Sequence, residues 1–364
     1  MASSTTPSHN NKKKYSTYPD ALIVEPLRPP HKQTLILLHG RGSNASSFAP
    51  PLLATILPSP FPSSSSKHPF QQHLPHTKFI FPTASKRRAL SFKRSVITQW
   101  FDYYTPLTLE TATKREEAMY PGLRETSLML HRLLEREVRE VGGRNVVLGG
   151  LSQGCAAALV AGLLWRGEAL GAVVGLCGWL PLAGRLMEVL EERSGDGDEI
   201  SFGGEEEKEE EEEEDDDDDD DSDGGGNIEK GGPVDVNTPA LRGIKFLEDE
   251  LDFPPCLPPP PSSSSSSHPT APPQQTPVFL AHGSLDEKVP IDVGMQGRDC
   301  LRALGTGTEW MEEEGQGHWY SGKMLERLIG FLEERRVVEV GRGHSVDAVS
   351  EDLDDDGKGA EENG

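Results

Sequence analysis

The chain has 364 residues, a net charge of −24 and four cysteines. The acidity is concentrated: Glu205–Asp223 contributes −16 and the stretch from Glu351 to the end −6, leaving −2 for the rest, so charge says little about a substrate. No apolar run approaches the ~20 residues that span a bilayer, the N-terminus lacks the apolar core of a secretory signal, and Cys155, Cys177, Cys256 and Cys300 form no CxxC pair; a soluble cytoplasmic protein is expected.

Residues 1–17 are polar and read as disordered. Strand-like runs follow at ALIVEP (21–26), TLILLHG (34–40) and, after a polar loop over 58–76, KFIFP (78–82). A helix is predicted over about 120–141, where Leu123, Leu130, Leu134, Val138 and Val141 recur at three-, four- and seven-residue spacing. Strands NVVLGG (145–150) and AVVGLCGWL (172–180) complete a first core part, 18–190. Residues 191–276 form an insert of acidic, Gly-rich and Pro/Ser-rich sequence that reads as mostly disordered. Within it, 240–253 reads as one amphipathic helix lying across the sheet. The second core part, 277–337, carries PVFLAHG (277–283) and TEWMEE (308–313), and 338–364 reads as an acidic disordered tail. Continuous apolar strands separated by helices predict an α/β class with a mostly parallel central sheet, helices on both faces and a long low-complexity insert.

The stretch GGLSQGC stands between the strand NVVL and the Ala/Leu-rich run AAALVAGLL. Ser152, with Gly150 two before and Gly154 two after, is predicted at a sharp strand-to-helix turn, where the two glycines make room for an exposed hydroxyl. The helix behind it aims free N–H groups at the same point, which suits developing negative charge. A serine needs a base to become a nucleophile. Of eleven histidines, His318 in EEEGQGHWYSG fits best, in a Gly-rich loop after the last strand. His268 falls in the Pro/Ser stretch, His344 in the tail, and His282 closes a strand and is expected to pin its turn. Asp286 in HGSLDEKVP is the choice to orient the imidazole, with Glu287 and Asp292 as alternatives. Two backbone N–H groups are needed for the oxyanion: Gln153, after the nucleophile, and Arg41, in the HGRGSN loop that His39 is expected to shape. Trp179, Leu180 and Trp319, apolar residues near the elbow, either line a substrate path or pack in the core.

HGRGSN after a strand also matches a dinucleotide fingerprint, which requires an acid about twenty residues on. No Asp or Glu occurs between Glu25 and Asp102, so that reading fails. Neither a P-loop nor HExxH is present and the cysteines lack zinc spacing, so no metal is expected. The same acid-free stretch holds ten Lys or Arg, including Lys86, Arg87, Arg88, Lys93 and Arg94, a basic surface that would suit transient contact with an anionic membrane or with the acidic run. No nucleic-acid partner is expected, and oligomeric state is left open.

LLHGRGSN, FPTA, QWFD, GGLSQG, GWLP, HGSLDEKVP and GQGHW occur in that order. Together they resemble the acyl-protein thioesterase branch of the α/β-hydrolases, the phospholipase/carboxylesterase family, and the basic KRRALSFKR before QWFD resembles its fungal members. The resemblance covers about residues 20–335 apart from the insert. It implies an α/β-hydrolase fold, no cofactor, and a cytosolic serine hydrolase acting on acyl thioesters or esters of acylated protein or lipid, such as palmitoyl-proteins. A general carboxylesterase or lysophospholipase on small esters is the alternative, and an intact Ser152, Asp286 and His318 set argues against a non-catalytic scaffold. This chain departs from the family in having Arg41 where a small apolar residue is usual, Ser43 where an acid is, HGSLD for an HGDxD-like motif, and a far longer insert.

Overall fold

The computed structural model describes residues 18–58, 66–90, 95–104, 116–191, 238–254 and 275–338. The expectations of disorder for 1–17, for most of 191–276 and for the tail lie outside these residues.

Seven strands form the central sheet: β1 (Leu22–Val24), β2 (Gln33–Leu38), β5 (Thr77–Phe81), β8 (Val146–Leu151), β9 (Ala172–Leu176), β10 (Val278–Gly283) and β11 (Thr308–Glu313). Their spatial order is β1-β5-β2-β8-β9-β10-β11, with β1 antiparallel to β5 and the remaining pairs parallel. The apolar runs TLILL, VVLGGL, AVVGL and VFLAHG alternate with helices, and β2, β8, β9 and β10 are buried along their whole length. This is the pattern of a parallel sheet covered on both faces. The run read as a strand over 172–180 ends at Leu176, because Cys177 turns into the left-handed region (φ 48°) while its N–H bonds Ala281 O at 2.8 Å. Two three-residue hairpins, β3 (Ile56–Pro58) with β4 (Lys67–Pro69) and β6 (Lys86–Arg88) with β7 (Val96–Thr98), are too short for periodicity to reveal.

Two apolar cores sandwich the sheet. One lies under α1 (Ala45–Leu53), the short α2 (Phe70–His73) and α8 (Gly322–Glu334). The other lies under α3 (Tyr120–Val141), α4 (Gln153–Leu163), α5 (Ala183–Glu191), α6 (Pro239–Glu250) and α7 (Ile291–Ala303). In α3 the residues Leu123, Leu130 and Leu134 are fully buried, as the spacing requires.

The insert contributes α6. It does not lie across the strands. It packs into the helical layer beside α5, with Gly243 close to Leu186 and Leu304. Its buried stripe is Ala240, Gly243, Ile244 and Leu247, narrow enough to dock between helices. Three arginines of the core hold its acidic side: Arg185 to Glu250 in a two-pronged pair at 2.6 and 2.8 Å, Arg166 to Glu248 at 2.7 Å, and Arg124 to Asp252 at 2.7 Å.

Candidate active site

The carboxyl ends of β8, β9, β10 and β11 converge on one edge of the domain, and every sequence-nominated residue of the triad stands there. Ser152 follows β8 directly and begins α4 with φ 57° and ψ −120°. That backbone costs about 1–3 kcal/mol and is held by its neighbours: Ser152 N–H bonds Leu176 O at 2.8 Å. The two elbow glycines are needed for close approach. A Cβ on Gly150 would sit 2.8 Å from Leu38 O, and one on Gly154 would sit 2.7 Å from His39 O and closer still to Leu38 O. Ser152 is 7% exposed.

Ser152 Oγ lies 2.9 Å from His318 Nε2. His318 Nδ1 lies 2.8 and 2.7 Å from the two carboxylate oxygens of Asp286, so it is the protonated nitrogen and Nε2 is left to accept from the serine. Burial alone would raise the Asp286 pKa, but hydrogen bonds from His282, His318 and the Val289 N–H outweigh it and hold the carboxyl well below the usual carboxylate range. The Lys288 and Val289 N–H groups both donate to Asp286 Oδ1 at 2.9 Å. Of the alternatives weighed for the acid, Glu287 is exposed and Asp292 accepts from the Val293 N–H at the start of α7. The loops carrying Asp286 and His318 are fastened together: Ser284 N–H donates to Glu313 O at 3.0 Å, Leu285 N–H to Gln316 O at 3.0 Å, and Gly315 N–H to Ser284 Oγ at 2.8 Å.

The HGRGSN loop crosses in front of the nucleophile. A Cβ on Gly40 would be 4.0 Å from Ser152 Oγ, so the loop that carries Arg41 passes close to the hydroxyl. As the first residue of α4, Gln153 has an N–H with no intrahelical acceptor. His39 shapes this loop from beneath. Its Nδ1 donates to Gly40 O at 2.7 Å, its Nε2 accepts from the Ala84 N–H at 3.1 Å, and burial pushes its pKa down to about 4. It is a neutral structural ring.

The three acyl-lining candidates part company. Trp179 and Leu180 are buried, Trp179 against Phe101 and Tyr103 with ring centroids 6.0 and 5.1 Å away. Both border a cavity of about 10 Å³ shared with Cys155, His282 and Trp310, room for one water rather than a chain. Trp319 is 45% exposed beside His318, with Leu285 64% exposed in the neighbouring loop. Among the described residues, no group of three or more His, Cys, Asp and Glu is arranged to hold a metal ion, and no helix is long and apolar enough to cross a membrane.

Two contacts escaped the sequence reading. His282 pins its turn, as expected, by donating from Nε2 to Val289 O at 2.8 Å, but the same nitrogen also lies 3.3 Å from Asp286 Oδ2. The QWFD segment bonds the side chains of both oxyanion candidates, Arg41 and Gln153; polar Gln99 inside an apolar run is the available signal.

A parallel sheet with a strained serine between strand and helix, and an acid and a histidine on the following strand ends, defines the α/β-hydrolase fold. The phospholipase/carboxylesterase family model matches residues 19–194 and 256–335, and the chain belongs to that family of serine ester and thioester hydrolases. An acyl-protein thioesterase 1 of Gibberella zeae is 21% identical over 86% of this chain and 95% of its own length. Another, of Yarrowia lipolytica, is 30% identical over 45% of this chain, an alignment that spans 64% of the yeast protein. The crystal structure of Zea mays acyl-protein thioesterase 2 has the same fold, with a TM-score of 0.52 and 20% identity over 87% of this chain and 99% of the maize chain. Residues 195–255, the bulk of the insert, fall outside the family match.

Proposed function

We propose that this chain is a serine hydrolase of the acyl-protein thioesterase type, cleaving acyl thioesters and esters through an acyl-enzyme. The observation that carries the reading is the continuous hydrogen-bonded line from Ser152 Oγ through His318 to Asp286. His318 Nε2 takes the Ser152 proton as Oγ attacks the acyl carbonyl, and Asp286 stabilises the imidazolium. The Gln153 and Arg41 N–H groups hold the oxyanion. As it collapses, the bond to sulfur or oxygen breaks and His318 protonates the leaving group. Water then gives a proton to His318, attacks the acyl-serine and frees the fatty acid, returning the proton to Ser152. The relatives' names, acyl-protein thioesterase, support an acylated protein as substrate; a palmitoyl group as the acyl chain and a cytoplasmic location are part of the proposal.

The test is labelling with a fluorophosphonate, wild type beside Ser152→Ala, followed by matched short- and long-chain thioesters and oxyesters. Labelling that vanishes in Ser152→Ala together with long-chain thioester turnover supports the reading. Turnover of short oxyesters alone makes the chain a general carboxylesterase instead. No labelling of folded wild type sinks the hydrolase assignment.

Transient contact with anionic membrane belongs to the same reading. The β6–β7 hairpin presents Lys86 and Arg88 beside exposed Leu90 and Val96. Deleting residues 205–223 should increase binding to anionic vesicles at low salt, because the acidic run competes for that surface; unchanged binding would remove the idea.

A further inference from the structure

One short segment, Gln99–Asp102, touches both loops that flank the Ser152 hydroxyl. On one side Trp100 N–H donates to Gln153 Oε1 at 3.0 Å and Gln153 Nε2 donates to Phe101 O at 2.6 Å, so the residue after the nucleophile is gripped at both ends of its amide. On the other side Arg41 Nε donates to Gln99 Oε1 at 2.9 Å, and the Arg41 guanidinium lies 3.5 Å from Asp102 Oδ1 and 4.4 Å from the Tyr103 ring centroid. The Gly42 N–H donates to Thr98 O at 2.8 Å, and Trp100 Nε1 donates to His39 O at 2.8 Å. Gln99, Trp100, Phe101 and Gln153 are all fully buried.

The Gly42 N–H bond to Thr98 O and the Trp100 Nε1 bond to His39 O hold the HGRGSN backbone on either side of Arg41. A Cβ on Gly42, at φ +80°, would meet nothing within 4 Å. The Arg41 side chain adds a third tie, from the residue itself, to the same segment. The guanidinium is 9% exposed and its partner Asp102 17%; in so dry a setting the geometry of a charge-assisted bond is enforced strongly, since breaking it strands a charge. Gln99 and Asp102 in turn are fixed from the hairpin, Gln99 Nε2 donating to Arg88 O at 3.4 Å and Asp102 Oδ2 accepting from the Leu90 N–H at 2.8 Å.

We propose that Gln99 and Asp102 are positioning residues for oxyanion binding, acting through the Arg41 side chain, so that one segment sets the spacing of both backbone donors. The inference rests on the serine-hydrolase reading above. It also gives the Arg41 side chain a structural task, as an anchor.

The experiment measures kcat and KM on a thioester substrate, the affinity for a long-chain trifluoromethyl ketone, which forms a tetrahedral oxyanion on Ser152, and Tm. Gln99→Leu keeps the shape and removes the acceptor. It should lower kcat roughly 10- to 100-fold, less than or comparable to losing one donor outright, with KM changed under about threefold. Affinity for the ketone should fall by the same factor as kcat/KM, and Gln99→Glu, which restores an acceptor for Arg41, should recover most of both. Arg41→Leu should match Gln99→Leu, and the double variant should be no worse than either, as expected for one pathway. If Gln99→Leu fails to fold, Asp102→Asn with Arg41→Leu carries the same comparison. Full kcat and ketone affinity in folded Gln99→Leu or Arg41→Leu overturns the inference while Ser152 labelling stands. Absent labelling of wild type would instead overturn the hydrolase reading beneath it.

Discussion

His282 Nε2 lies 3.3 Å from the same Asp286 oxygen that His318 Nδ1 contacts at 2.7 Å. The carboxylate is therefore held from a second imidazole, itself stacked on Trp310 with ring centroids 5.8 Å apart. His282→Ala leaves Asp286 with its two backbone donors and His318 but free to rock. We expect kcat to fall about tenfold with little change in KM, because a poorly oriented acid misplaces the base. His282→Gln, able to donate to Val289 O, should recover part of the loss. Steady-state kinetics on a chromogenic ester checks both.

The glycines flanking Ser152 are set by backbone contact. Gly154→Ala forces a methyl group into the carbonyls of Leu38 and His39. The expected cost is about 1–3 kcal/mol of stability, as for other overpacked sites, with activity lost because the elbow must shift. Urea unfolding of Gly154→Ala beside Ser152→Ala separates the steric effect from simple loss of the nucleophile.

Glu116 stands almost fully buried at the entrance to α3, and burial pushes its pKa up to about 7, with Arg185 opposing and Glu188, Glu250 and Glu117 adding to the rise. The folded chain thus holds a proton there that the unfolded chain releases near pH 4.5. Stability from this group is full below pH 4.5 and lost as pH rises to about 7. Glu116→Gln should be more stable than wild type at pH 8, and the difference should vanish at pH 4. Thermal melts across that range read the effect directly.

Leu247 of the insert helix is fully buried in the same core as α4 and α5. Leu247→Ala is expected to destabilise the domain by about 2–5 kcal/mol. Chemical denaturation should show one transition with a lowered midpoint. An unchanged midpoint would mean that α6 is an appendage rather than part of the core.

Much of this was legible in one dimension. Seven runs correspond to the seven strands of the sheet: β2, β5, β8, β9 and β10 announce themselves because a strand buried on both faces needs continuous apolar residues, while the edge strands β1 and β11 are only partly buried. The 22-residue α3 was equally plain from its leucine spacing. Ser152, His318 and Asp286 could be nominated from order and local context alone, since an elbow requires small neighbours and a reactive loop histidine requires freedom. Tertiary structure decided what depends on distance between remote segments. That α6 docks against helices follows from where Arg124, Arg166 and Arg185 happen to stand. That Trp179 and Leu180 turn inward while Trp319 faces out depends on which side of the strand ends is filled by neighbouring elements. The tie of His282 to Asp286, though only four residues long, depends on how the turn after β10 folds back, and the grip of Gln99–Asp102 on Arg41 and Gln153 has no sequence pattern, because hydrogen bonds between loops fifty or more residues apart leave no period in the chain.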